Sequence, residues 1–336
     1  MNYKYFFITG AHKSGTSWLA NLIRAHRAVA MPHHELWLFG HKDSIAGPGF
    51  DRLFSDWLQL RCVANEAREM PLAAIAPELR RCLVSGVLER YAKKKTEALG
   101  SKTPLYYALA HKLIHETFPE SIFIEIIRDP RDVIVSHHFH RLRTRNFSHY
   151  GSAVDGEAAY AFHIEGSGDH VSLLHPGFVR KLAEQWVEVA EACRAASLLF
   201  GARFVSVRYE DLLNGPEPDL QRIFRTMGLK TTRAELQRII EQNAFEKRSG
   251  GRRPGEHDPK KFYRKGVAGD WINYFDDEAR RSVETTAGAM MAALDYGQDF
   301  EVAQQPAPDR SSPRSTGLLG RLGIGRWLRD GSGART

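Results

Sequence analysis

Cysteine is scarce: Cys62, Cys82 and Cys193 are the only three in 336 residues. An odd number with no metal-type spacing argues against a disulfide framework or a metal centre and fits a reducing compartment. No stretch approaches the length of a membrane span, and no internal repeat is present. Met-Asn-Tyr-Lys passes straight into an apolar run without a charged leader or a small-residue cleavage site, so the expectation is a cytoplasmic protein. What is present, 43% apolar and 26% charged residues, is ordinary for a soluble globular chain. The length is enough for one large α/β domain or two small ones. A formal charge of +7 favours an anionic ligand, polyanion or membrane surface without choosing among them.

Tyr3 to Thr9 is short, apolar and aromatic and runs into Gly10, the pattern of a buried strand entering a turn. From Thr16, Trp18, Leu19, Leu22 and Ile23 form a helical stripe. Ser121 to Arg128 is a further strand, followed by Asp129-Pro130 and a helix carrying Val135, Phe139 and Leu142. Residues 50 to 118 read as several helices, one bearing Leu105, Leu109 and Leu113. Leu182, Trp186, Val189 and Cys193 mark another helix, Arg203 to Arg208 another strand, and short helices are expected over Asp219 to Met227 and Thr232 to Gln242. Strands alternating with helices predict an α/β fold with a central parallel sheet flanked by helices. Residues 247–265, rich in Gly, Pro and basic residues, predict a loop. The domain is expected over 1–300, with a flexible Pro/Ser/Gly/Arg-rich tail over 301–336.

A lysine is missing where the first loop would need it. Gly10 to Ser17 reads G-A-H-K-S-G-T-S; a nucleoside-triphosphate loop reads G-x-x-x-x-G-K-[ST], with its lysine on the terminal phosphates and its Ser/Thr on Mg²⁺. Here Thr16 stands at the lysine position and Lys13 lies three residues earlier. A cation on the crown of the loop suits a bridging oxygen of a shorter, less charged group, such as a sulfuryl, that needs no metal.

Lys13-Ser-Gly-Thr-Ser-Trp18 resembles the phosphosulfate-binding loop of sulfotransferases that use 3′-phosphoadenosine-5′-phosphosulfate (PAPS). Three further segments are similar to that family in the same order: Arg128-Asp-Pro-Arg-Asp-Val-Ile-Val-Ser136, Val207-Arg-Tyr-Glu-Asp-Leu-Leu213, and Phe245 to Glu256 followed by Arg264-Lys-Gly-Val-Ala-Gly-Asp-Trp271. The resemblance spans about residues 3 to 298 and implies a P-loop NTPase-like sulfotransferase fold. It places Lys13 at the phosphate–sulfate bridge and gives Ser14, Gly15, Thr16 and Ser17 as donors at a helix N-terminus. It assigns Arg128 and Ser136 to the 3′-phosphate, closed over by Arg264, Lys265 and Gly266, and Trp18 and Tyr209 to the adenine. PAPS is then the co-substrate and adenosine 3′,5′-bisphosphate (PAP) the product, with no metal required.

The chain departs from many cytosolic members at Lys102-Thr103-Pro104, where those have Lys-Thr-His and use the histidine as base. The Lys-Thr-Pro form resembles carbohydrate-type and many bacterial members, in which a glutamate serves. That implies Glu35 as general base, Lys102 as its orienter or as an aid near the leaving sulfate, and His33 and His34 as rivals; His12 is assigned no role beyond shaping the loop. The acceptor is expected to be a small molecule, carbohydrate or lipid, held by parts of residues 37–100 and 140–180. No nucleic-acid partner is implied, and residues 317–329 could touch an anionic membrane weakly. Two other readings remain: a P-loop kinase or NTPase with Asp129 on Mg²⁺, and a non-catalytic polyanion binder using Lys247 to Lys265.

Overall fold

The computed structural model describes residues 3–40, 44, 46, 72–148, 150 and 152–296. Cys62, residues 47–71 of the expected acceptor region and the tail with its 317–329 segment lie outside the described residues. Five strands, β1 (Lys4–Thr9), β2 (Val29–Ala30), β3 (Ala98–Lys102), β4 (Ile122–Ile127) and β5 (Phe204–Arg208), form one sheet in the order β2-β3-β1-β4-β5. Every pairing is parallel, with Phe6 of β1 level with Gly100 of β3 and Ile122 of β4.

Alternation along β1 divides its side chains between two layers. Phe6 and Ile8 pack with Leu19, Leu22 and Ile23 of α1 (Thr16–Arg24) and with Leu220, Ile223 and Leu236 from α9 (Glu217–Thr226) and α10 (Arg233–Gln242). Phe7 faces the other way, toward Val84 and Leu88 of α2 (Leu72–Glu89), Ile114 of α4 (His111–Thr117) and Phe200 of α7 (Pro176–Phe200). A third apolar cluster joins α5 (Pro130–Arg143), α7 and the C-terminal α12 (Asp277–Ala293) through Val135, Trp186 and Met291. Both faces of the sheet are covered, as an all-parallel sheet requires.

Residues 50–118 are not all helical. β3 lies among them, and its sequence Ala-Leu-Gly-Ser-Lys hides it: a Cβ on Gly100 would come 2.3 Å from the Phe6 carbonyl oxygen, so a glycine sits mid-strand where β-formers are expected. The helix expected through Leu105, Leu109 and Leu113 is broken. Leu105 takes φ 63, and the chain then forms two short pieces, α3 (Tyr106–Leu109) and α4. α6 (Ala153–Tyr160) and its π-helical continuation to Glu165 follow α5, while α8 (Tyr209–Asn214) follows β5. The expected loop at 247–265 begins inside a short helix, α11 (Phe245–Ser249). α12 went unread in the sequence, although Asp276 caps it by accepting from Ala279 N at 2.8 Å and Val283, Ala287 and Met291 form its buried stripe. Among the described residues no helix is long and apolar enough to cross a membrane.

Candidate active site

The site lies at the carboxyl ends of β1, β3, β4 and β5. There the strand order reverses on either side of β1 and opens a crevice. Two glycines frame the loop after β1. Gly10 has φ 148, and a Cβ there would meet the Ile126 carbonyl oxygen at 2.3 Å; Gly15 has φ 103, and a Cβ there would meet the Tyr209 ring at 2.6 Å. Between them Lys13 adopts φ 71, a conformation that costs a non-glycine residue energy and concentrates at functional sites. The Ser14 hydroxyl turns inward and donates to the Ala11 carbonyl at 2.7 Å, locking the loop. Gly15 is the N-cap of α1 and no side chain caps it, so the positive end of the helix is presented at the loop.

Positive charge converges on this loop. The Lys13 ammonium is pushed down to about 8 by burial and by Arg143, Arg128, Lys102 and Arg264 around it. Arg128, at the end of β4, is buried. It lies over the Tyr209 ring at 4.1 Å and donates to the carbonyls of Lys13 at 3.4 Å and Val267 at 3.1 Å, with its Nε left without a partner. Lys102, at the end of β3, donates to Glu35 at 2.5 Å and reaches the Ser17 hydroxyl at 3.4 Å. On α5, Ser136, His140 and Arg143 follow at i, i+4 and i+7 on one face. His140 is held down to about 4 by burial and the nearby cations Lys13 and Arg143, so it is neutral near pH 7.

The segment after α11 folds back over the loop and is fixed by two buried carboxylates. Asp132 accepts from the backbone N–H groups of Gly269 at 2.8 Å and Trp271 at 3.0 Å and pairs with Arg128 at 3.4 Å. Asp270 takes Arg264 at 2.5 Å and Lys265 at 2.6 Å. Burial alone would raise the Asp270 carboxyl, but Arg264 and Lys265 outweigh it and hold it below the usual carboxylate range. Gly266 has φ 66 and lies so close to Phe245 that a Cβ would come within 2.3 Å of its ring. Arg252 donates to the carbonyls of Tyr263, Arg264 and Glu256. Much of the basic run 247–265 thus builds the segment itself.

These elements enclose a cleft of about 440 Å³. Of the residues that the resemblance assigns to PAPS, together with Glu35 and Lys102, all except Ser14 and Lys102 line it. Trp18 and Tyr209 meet edge to face at 5.8 Å on one side, and the Trp18 indole donates to the Asn243 carbonyl at 3.0 Å. His33 and His34 are not among the lining residues; His33 sits against Arg24 at 3.0 Å and His34 packs near Tyr91. Asp129 also stays out of the cleft, its carboxylate gripped by Arg131 at 2.6 to 3.1 Å. Sequence reasoning passed over Arg143, His140 and Phe262, whose ring lies 4.6 Å from the Lys13 ammonium. The α5 stripe from Ser136 was the available signal for the first two.

A sequence profile of the sulfotransferase family matches residues 6–233. The chain belongs to the sulfotransferase family. It is 29% identical over 198 residues to the omega-hydroxy-beta-dihydromenaquinone-9 sulfotransferase Stf3 of Mycobacterium bovis, a match covering 58% of this chain and 43% of that protein. The chain therefore spans less than half the length of that relative. It is 25% identical over 271 residues to flavonol 3-sulfotransferase of Flaveria bidentis, covering 73% of this chain and 80% of that protein. Mouse sulfotransferase SULT7A1, solved with PAP, superimposes with a TM-score of 0.50 at 17% identity over 88% of this chain and 86% of that one, a likeness of fold. The P-loop-like architecture expected from the sequence is the one this family chain has.

Proposed function

We propose that the protein transfers a sulfuryl group from PAPS to an acceptor hydroxyl, releasing PAP. The observation that carries this reading is the set of cations around an uncapped helix N-terminus, Lys13, Arg128 and Arg264 lining the cleft with Lys102 and Arg143 acting on Lys13 from beside it, while Glu35 is the single carboxylate among the described lining residues. Like charges gathered in a partly desolvated cleft repel one another, and a multiply anionic ligand relieves that repulsion. In this reading Lys13 stabilises the charge that grows on the bridging oxygen as the S–O bond breaks. Arg128 and Ser136, with Arg264, Lys265 and Gly266, hold the 3′-phosphate, and Trp18 and Tyr209 flank the adenine. Ser14 shapes the loop, leaving the Gly15, Thr16 and Ser17 positions to face the sulfate end. Glu35, oriented by Lys102, takes the acceptor proton; the new O–S bond forms as the old one breaks, and the electron pair stays on the phosphate of PAP.

The cations supply the charge that Mg²⁺ supplies in a kinase, which supports transfer without a metal. The kinase reading loses its Mg²⁺ ligand candidate, since Asp129 is held by Arg131 outside the cleft. The polyanion reading loses Arg252, whose guanidinium is taken up by the carbonyls of Glu256, Tyr263 and Arg264. We place the enzyme in the cytoplasm, a reading supported by the free thiols of Cys82 and Cys193, with residues 1–300 as the catalytic domain and 301–336 as a tail. Incubation with ³⁵S-labelled PAPS and hydroxylated acceptors in EDTA tests the proposal: label must reach an acceptor with the wild type and not with Lys13→Ala. Transfer that survives in Lys13→Ala, or that needs added Mg²⁺, contradicts it.

A further inference from the structure

A second cavity, of about 480 Å³, adjoins the nucleotide cleft. His12 is the one described residue that lines both. A pair of rings also links the two linings: Trp37 lines the cleft and Tyr106 the second cavity, their centroids 5.1 Å apart. Lys13, Trp37 and Leu105 all stand at this boundary with φ between 50 and 71. Non-glycine strain of this kind gathers where a site is being shaped. The cavity therefore adjoins the loop that carries Lys13, and neither Trp18 nor Tyr209 is among its lining residues.

The chemistry of its walls is one-sided. Arg141 and Lys181 contribute fixed positive charge, and no carboxylate lines the cavity among the described residues. Arg141 is steadied at the wall by donating to Asn146 Oδ1 at 2.8 Å and Ser148 Oγ at 2.5 Å. His137 and His175 each keep a buried Nδ1 without a hydrogen-bond partner, an arrangement that is costly unless a ligand supplies one. Burial holds His12 below its ordinary value against the opposing pull of Glu35, and burial with His12, His138, Arg141 and Lys13 holds His137 down to about 2, so both rings are neutral hydrogen-bonding groups. Phe178 and Leu182 supply the apolar surface.

We propose that this cavity receives the acceptor, and that it selects an acceptor carrying an oxyanion (a carboxylate, phosphate or sulfate ester) at the end remote from the reacting hydroxyl. The hydroxyl passes His12 toward the sulfuryl group, the body lies between Phe178 and the histidines, and the oxyanion meets Arg141 and Lys181. A wholly apolar acceptor would leave the buried imidazole nitrogens unpaired and would use neither cation. This inference rests on the sulfotransferase reading of the neighbouring cleft.

The test uses the full-length protein with ³⁵S-labelled PAPS and three hydroxy acids of different hydroxyl type, hydroxyphenylpropionate, ω-hydroxylaurate and glucuronate, each beside its methyl ester. Acids are expected to be preferred by about tenfold in kcat/KM, mostly through KM. Lys181→Glu, on an exposed face of α7, is expected to cut the acid-to-ester ratio by a similar factor. Arg141→Gln is expected to do the same, and Lys181→Glu keeps the test decisive should that variant fold poorly. Esters used as well as acids, or a ratio untouched by Lys181→Glu, overturns the proposal. Should none be turned over, binding to PAP-saturated protein decides: acids held more tightly than esters, and lost in Lys181→Glu, support it, whereas equal or absent binding overturns it. Failure to bind PAP at all would instead overturn the reading of the cleft, so the two failures are distinguishable.

Discussion

The Lys102 ammonium donates to the Glu35 carboxylate at 2.5 Å, bringing the end of β3 against a loop 67 residues earlier in the chain. In the proposed reaction this contact would couple a carboxylate that accepts a proton to a cation beside the sulfate end. With Lys102 largely buried and Glu35 partly exposed, the lysine fixes where the carboxylate points.

Replacing Glu35 by Gln keeps shape and hydrogen bonding but removes the proposed base. Turnover is expected to fall by about 10² to 10⁴, with PAP affinity nearly unchanged, as read by steady-state kinetics beside calorimetry. Ordinary turnover in Glu35→Gln would move the base elsewhere. His33 and His34 lie off the cleft lining, so His12 would then be the first residue to substitute.

Gly15→Ala places a methyl group against Tyr209 at a backbone angle that disfavours it. A loss of about 1–3 kcal/mol in stability is expected, together with weaker PAP binding because the loop must shift. Thermal melts with and without PAP read both effects. A wild-type melting temperature would mean that Tyr209 moves freely, against its role as a fixed face of the cleft.

Lys13 gives a pH signature. Its ammonium sits at about 8 in the free protein, against 10.5 unperturbed. The unfolded chain therefore binds more protons between these values, and this group lends the free protein stability as pH rises from about 8 toward 10.5. An anionic ligand favours the charged form, so PAP binding at pH 8 to 9 should take up protons and weaken as pH rises. Calorimetry in buffers of different ionisation enthalpy measures the uptake, which should vanish in Lys13→Met.

Asp132→Ala removes the acceptor for two backbone N–H groups and the counter-charge of Arg128. A destabilisation of about 3 kcal/mol is expected, with hydrogen-exchange protection lost first around Gly269 and Trp271. Uniform loss over the whole sheet, with the 264–271 segment no worse than the rest, would contradict the anchoring role.

The site was legible where its residues form local motifs. The loop at 10–17, the Arg128–Ser136 unit and Tyr209 each follow a strand that reads clearly as apolar and β-branched or aromatic. β3 was hidden because its Gly100 serves a close approach of Phe6 rather than strand propensity. The anchors Asp132 and Asp270 were hidden for another reason: Asp132 acts 137 and 139 residues away in the chain, and Asp270 works by holding cations whose phosphate role the motif suggested. His12 lay in plain view, but its place between two cavities is a property of the packed molecule.

The central claim is a metal-independent site for a phosphoadenosine ligand, and calorimetric titration with PAP in EDTA, beside ATP with Mg²⁺, tests it most directly. Tight binding of PAP in EDTA, lost in Arg128→Ala and weakened in Lys13→Ala, is the predicted result. Binding of ATP only, and only with Mg²⁺, would contradict the account and return the loop to nucleoside-triphosphate chemistry.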